Sequence, residues 1–128
     1  MSDRYKIQSE MIGRILEFLE DFGIEPTTIE GSNFVKSAEE LGLLIIAMNW
    51  LIAEEIIRVD ASRGEGRWIG CQLSAKGMYL LGRTINIGGD FVPMREAVRE
   101  AQKGSWDHTK MGDFIGGIFG GAIKSLTS

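Results

Sequence analysis

From Leu41 to Ile57 the chain reads LGLLIIAMNWLIAEEII, and few folds can accommodate such a stretch. Its first part has helical spacing with apolar residues on nearly every face, so the helix must be buried on most sides. Ser37 followed by Glu40 is a capping-box pattern and places the start. The helix runs to about Glu55 and passes straight into a strand at Ile56. Gly42 either sits in the turn of a helix-turn-helix or lies inside one continuous helix at a cost of about 1 kcal/mol. The split, or a kink, is the favoured reading. Everything else must wrap around this segment.

The chain is long enough to do so. Its 128 residues fit one domain, and 44% hydrophobic residues suffice for a core without disulfides or metal. Cys71 is the single cysteine, which excludes an internal disulfide and fits a reducing compartment. The N-terminus MSDRYKIQSE has no signal-peptide apolar core, and no run approaches the roughly 18 apolar residues of a membrane span. A cytoplasmic location is expected.

Asp3 to Phe22 reads as an amphipathic helix, with Ile7, Met11, Ile15, Phe18 and Phe22 widened by Ile12 and Leu19. Gly23 suits the left-handed residue past its end, and Pro26 prevents continuation. Ile24 to Asn33 is a connector, with enough strand character at Thr27, Thr28 and Ile29 for a short edge strand. Beyond the central helix, Ile56–Ala61 and Arg67–Leu73 form a β-hairpin around the turn Ser62–Gly66. Ser74 caps a helix from Ala75 to about Arg83. Gly88 and Gly89 break the chain. Pro93 sits at a first helical position, opening a helix that Gly104 closes. Within it, Glu96–Arg99 and Glu100–Lys103 offset two like-charge pairs four residues apart.

The tail carries one continuous helical stripe of Met111, Phe114, Ile115, Ile118, Phe119, Ala122, Ile123 and Leu126. The opposite face includes Gly116, Gly117, Gly120 and Gly121. Four interior glycines cost on the order of 3–4 kcal/mol against alanine, too much for an isolated helix. The stripe must therefore be covered, by another chain or by its own domain. A membrane interface is the alternative, but Lys110 and Lys124 supply few cations for it.

Charge is unevenly spread. Residues 32–55 carry one basic and four acidic groups, and residues 56–83 carry five and two. Only the hairpin region is basic, so general nucleic-acid affinity is not implied by the net charge of −4.

Three local patterns resemble winged-helix (winged helix-turn-helix) domains, in particular small prokaryotic ones. Ala47, Trp50, Leu51, Glu54 and Ile57 match the A-x-x-W-L-x-x-E-x-x-I end of their third helix. Arg58–Arg67 stands where the wing would be. Leu73-Ser74-Ala75-Lys76-Gly77 is similar to the L-T-x-K-G that opens the helix after the wing. The resemblance covers about residues 5–83. It implies a mainly α fold with a small β-hairpin, an α+β winged helix at 1–83. Residues 84–128 form a C-terminal extension of two short helices, in the same compact unit or as an oligomerisation arm.

The resemblance implies either DNA binding or protein contact. For DNA, Asn49, Arg58, Arg63, Arg67 and Lys76 are the candidate contacts. Against it, the central helix carries no Lys or Arg between Glu39 and Glu55, and its polar face of Glu39, Glu40, Glu54 and Glu55 would repel phosphate. The expectation is thus a non-enzymatic binding module that is a homodimer or meets another protein. Its interface would comprise Phe114, Ile115, Gly116, Ile118, Phe119, Gly120 and Ile123. No catalytic, cofactor or metal residue is assigned and no small-molecule substrate is implied. His108 beside Asp107 reads as a loop residue, since no nucleophile is placed near it. Cys71 reads as a small buried group. Trp50 and Trp68 read as packing groups. Trp106 reads either as packing or as a binding anchor.

Overall fold

The structure, a computed structural model, describes residues 4–64, 66–103, 106–107 and 109–117, with side chains from Ile7 onward. Ile118, Phe119, Gly120, Ile123 and His108 lie outside the described residues. The fold is α+β with a small antiparallel sheet.

Helix α1 (Arg4–Glu20) leads through a turn to strand β1 (Thr27–Glu30), and Gly23 takes the left-handed conformation at φ 60°. One turn of helix, α2 (Gly31–Phe34), separates β1 from α3 (Ala38–Ala53). Helix α3 is continuous through Gly42, which corrects the expected split. Burial of Leu44, Ala47, Met48 and Leu51 outweighs the roughly 1 kcal/mol that glycine costs there. The helix-to-helix turn lies earlier, at residues 35–37.

After α3, two short strands pair with one long one. β2 (Ile57–Arg58) and β3 (Ala61–Arg63) both run antiparallel to β4 (Arg67–Leu73). β1 also pairs with β4, giving the order β1–β4–β2, with β3 likewise paired to β4. The continuous strand expected over Ile56–Ala61 is therefore broken at residues 59–60. On its other edge β4 carries a bulge against β1, where Thr27 faces Cys71 but Ile29 faces Trp68. Gly70 absorbs it at φ 71°, and a side chain there would run into Asp60.

Helix α4 (Ala75–Leu81) then leads to an element the sequence pattern did not suggest, the hairpin of β5 (Thr84–Ile87) and β6 (Asp90–Pro93). Gly88 and Gly89 form its turn at φ 60° and 94°. Pro93 ends β6, opposite Thr84, and caps α5 (Met94–Ala101), so it is not the first helical residue. Residues 109–117 are again helical.

One buried cluster joins these elements. It takes Ile15, Leu16 and Leu19 from α1, Leu44, Met48 and Leu51 from α3, Trp68 and Leu73 from β4, and Leu80 and Leu81 from α4. It continues through Ile85, Met94, Val98 and Phe114, so residues on both sides of Arg83 share one core. Helix α1 is covered on two sides, by α3 and by α5. Gly13 sits at the α5 crossing, where a Cβ would lie 2.8 Å from the Val98 carbonyl oxygen. This second covered side explains why Leu16, outside the expected stripe, is fully buried, while Ile7 and Phe22 are exposed.

Candidate interaction surface

Both ends of α3 are built by local chemistry. At the start, Ser37 Oγ accepts from the Glu40 N–H at 3.1 Å, and Glu40 Oε1 accepts from the Lys36 N–H at 3.1 Å. This satisfies amides that have no partner inside the helix. At the end, the Ile56 N–H reaches the Leu51 carbonyl and the Glu55 N–H reaches the Ile52 carbonyl, each at 3.0 Å. That is a Schellman closure, and Glu55 occupies its left-handed position at φ 61°, where glycine is usual.

The Leu73–Gly77 stretch fastens onto this end. Ser74 Oγ donates to the Glu55 carbonyl at 2.6 Å and accepts from the Gly77 N–H at 3.0 Å. The Ser74 N–H donates to the Ile56 carbonyl at 3.0 Å. Gly77 lies so close to that carbonyl that a Cβ would overlap it. Lys76 Nζ donates to the Glu54 carbonyl at 3.3 Å, a favourable place for a cation at a helix C-terminus.

What these ends hold in place is an open face. Glu39, Gly42, Ile46, Asn49 and Ala53 are exposed along α3, flanked by half-buried Leu43, Trp50 and Ile52. Ile46 is 53% exposed. Ile7 and Gln8 of α1 join Glu39, Gly42, Leu43 and Ile46 in a cleft of about 580 Å³. The sequence pattern did not group these residues into one surface. A helix apolar on nearly all sides gives little sign of which side stays open, and the positions of α1, α2 and β2 decide it.

The basic candidates lie elsewhere. Asn49 is on the exposed face of α3. Arg58 is exposed on β2 opposite Gln72, and Arg63 is exposed on β3 directly opposite Arg67. Arg67 pairs with Glu30 of β1 at 3.3 Å, a half-exposed contact worth at most about 1 kcal/mol. The turn of this hairpin is tied down, because the Gly31 N–H donates to the Gly66 carbonyl at 2.7 Å and Leu41 fills the space beside both glycines. Lys76 is half-buried and its ammonium donates to the end of α3, away from the other basic candidates on the hairpin.

The tail residues are divided. Phe114 is fully buried in its own chain, with Met111 beside it, and so cannot serve a partner surface as expected. Trp106 is half-buried with its ring 5.8 Å from that of Phe114, which makes it a packing group. Ile115 is half-buried, and Gly116 is exposed with open space beside it. Asp113 accepts from the Gly88 N–H at 2.8 Å, fixing the tail helix to the β5–β6 turn.

A second cleft, of about 360 Å³, lies between α1, α2 and β1. Arg14, Glu17 and Glu30 in it have partners within the chain. Arg14 donates to the Phe34 carbonyl and stacks over that ring at 5.5 Å. Glu17 pairs with Arg99 at 3.3 Å and accepts from Gln102 at 3.0 Å. The buried Cys71 thiol is pushed up to about 11, first by desolvation, and it donates to the Trp68 carbonyl at 3.3 Å. Among the described residues, no group of three or more His, Cys, Asp or Glu could hold a metal, and no helix is long and apolar enough to cross a membrane. Comparison with family models, with curated proteins and with solved structures finds no match.

Proposed function

We propose that this chain is a winged-helix module that binds protein, with α3 as its contact helix. The succession α1, β1, α2, α3, then β2 to β4 supports the winged-helix reading, as does the sheet order β1–β4–β2. In this reading α2 and α3 are the helix-turn-helix and β3–β4 is the wing. Fold alone does not choose between partners, so the surface must.

The observation that carries the protein reading is the exposed face of α3. It presents Gly42, Ile46, Asn49 and Ala53, with Glu39 at one end and Glu54 and Glu55 at the other. A helix that reads a duplex needs side chains able to meet base edges and phosphates. Here one residue, Asn49, qualifies. An apolar face with an acidic rim instead suits a partner that is apolar and basic. No catalytic residue, cofactor or metal enters this reading.

The second reading is a DNA-binding regulator that uses the wing, and the exposure of Arg58 and Arg63 favours it. Fluorescence anisotropy of a random-sequence duplex at low salt separates the two. Non-specific binding by a DNA-binding domain appears at roughly 1–100 µM and weakens with salt. The protein reading expects no binding in that range. Binding that vanishes in Arg63→Ala with Arg67→Ala would replace it.

A further inference from the structure

Among the described residues, strand β1 pairs with β4 alone, so its second edge meets no strand. Ile29 is buried in the core, and alternation turns Thr28 and Glu30 towards the opposite face. Helix α1 lies on the core side, packed against β4. The cleft of about 360 Å³ is lined by Phe18 and Asp21 of α1 and by Thr28 and Glu30 of β1, so it runs along that second edge. We propose that this edge takes an extended segment of a partner protein as an added strand, with an arginine or lysine of the segment set against Asp21. The proposal stands beside the reading of α3 and does not rest on it.

Three observations select this occupant. The first is the edge itself. The backbone groups of an open strand edge are a template for another strand, and β1 offers about 13 Å of it, enough for four residues. Side chains do not close it, since the Thr28 hydroxyl and the Asn33 amide in the cleft have no side-chain hydrogen bond among the described residues. The second is charge. Residues 17–30 hold five acids and no Lys or Arg. Arg99, Arg95 and Arg67 pair with Glu17, Glu20 and Glu30, and Arg14 is turned to the Phe34 carbonyl and ring. Asp21 and Glu25 have no ion pair among the described residues, and Asp21 lines the cleft. This edge therefore attracts a cation and repels a phosphate or an acidic peptide.

The third observation separates a peptide from a small cation. Phe22 is 38% exposed, with its ring 5.2 Å from that of Phe18 in the cleft wall. Ile24, 75% exposed, stands in the turn that leads into β1. A lone amine or a metal ion would leave both in water. A peptide with an apolar residue beside its cation covers apolar surface and meets Asp21 together.

The test uses the full chain and a positional library of blocked hexapeptides, with the selected peptides followed singly by backbone-amide NMR. They should carry Arg or Lys at one position with an apolar residue next to it or one further on. They should bind with Kd on the order of 100 µM and shift the amides of Asp21, Thr27, Thr28 and Glu30. N-methylation at successive peptide positions should alternate between a loss of about tenfold or more and little change, because a strand turns its N–H groups by turns to its partner and to solvent. Asp21 is exposed, so Asp21→Lys should keep the melting temperature. It should weaken the basic peptide about three- to tenfold, and Glu in place of the peptide's cation should restore binding.

Three results overturn the proposal: a library with no binder tighter than roughly millimolar, binders without preference for a cation, or N-methyl losses without the period of two. Peptides that shift Gly42, Ile46 and Asn49 in place of β1 also overturn it, and leave the reading of α3 standing. DNA binding through Arg63 and Arg67 removes the reading of α3 and leaves the β1 edge as proposed.

Discussion

Two helical glycines should respond to alanine with opposite sign. Gly13 faces α5, and a Cβ there would stand 2.8 Å from the Val98 carbonyl oxygen and 3.2 Å from Gln102 Cγ. An ordinary carbon–oxygen contact is about 3.3 Å, so α5 must retreat by roughly 0.5 Å. A gap of that size forfeits about a quarter of each dispersion contact along the seam. Met94, Ala97, Val98 and Ala101 are all buried on α5, and overpacking such a site costs about 1–3 kcal/mol. Alanine returns about 1 kcal/mol of helix propensity. The net expectation for Gly13→Ala is a loss of about 0–2 kcal/mol, or a melting temperature lower by up to roughly 10 °C. Gly42 also lies mid-helix, but nothing stands within 4 Å of its Cβ position. Gly42→Ala should therefore gain about 0.5–1 kcal/mol. Urea unfolding followed by tryptophan fluorescence and by circular dichroism measures both. Equal stabilisation by the two substitutions would refute the close α1–α5 crossing.

Other consequences follow from the same contacts. Gly77→Ala forces the Ile56 carbonyl away from Ser74 and should cost about 2–4 kcal/mol, seen as a lower denaturation midpoint at unchanged m-value. Glu55→Gly relieves a left-handed non-glycine residue and should stabilise the fold by about 1 kcal/mol in the same assay. The raised Cys71 pKa means that the folded state holds the thiol proton more tightly than the unfolded chain does. This stabilisation is complete below pH 9, where both states are protonated, and is lost as pH rises from 9 towards about 11. The loss is at most about 2–3 kcal/mol and should be absent in Cys71→Ala when the two unfolding curves are compared across that window.

The parts legible in the sequence are those with a strong local signature. The Ser37–Glu40 and Ser74–Gly77 caps fall where their spacing places them, and the β3–β4 hairpin forms at its glycine-rich turn. Gly23 is left-handed as its position beyond α1 suggested. The missed parts are short or depend on distant partners. Helix α2 has four residues, too few for a period to appear. The Gly88–Gly89 pair reads as a chain break, although Ile85 and Ile87 on one side and a two-residue glycine turn are also a hairpin signature. The continuity of α3 through Gly42 reflects burial of its other face, chiefly by α1, overriding propensity. Arg67 could not be matched to Glu30 without the β1–β4 register, nor Arg95 and Arg99 to Glu20 and Glu17 without the α1–α5 crossing. The interaction face was hidden by the uniformity of α3 itself, because Ile46 and Leu44 look alike until their neighbours are placed.

The most direct test of the central claim is a backbone-amide NMR titration of the full chain with a random-sequence duplex at low salt. If α3 is a protein-contact helix, the amides of Asn49, Arg58, Ser62, Arg63 and Arg67 stay in place when the duplex is added. Salt-dependent shifts on the β3–β4 hairpin and at Asn49 when DNA is added would contradict it.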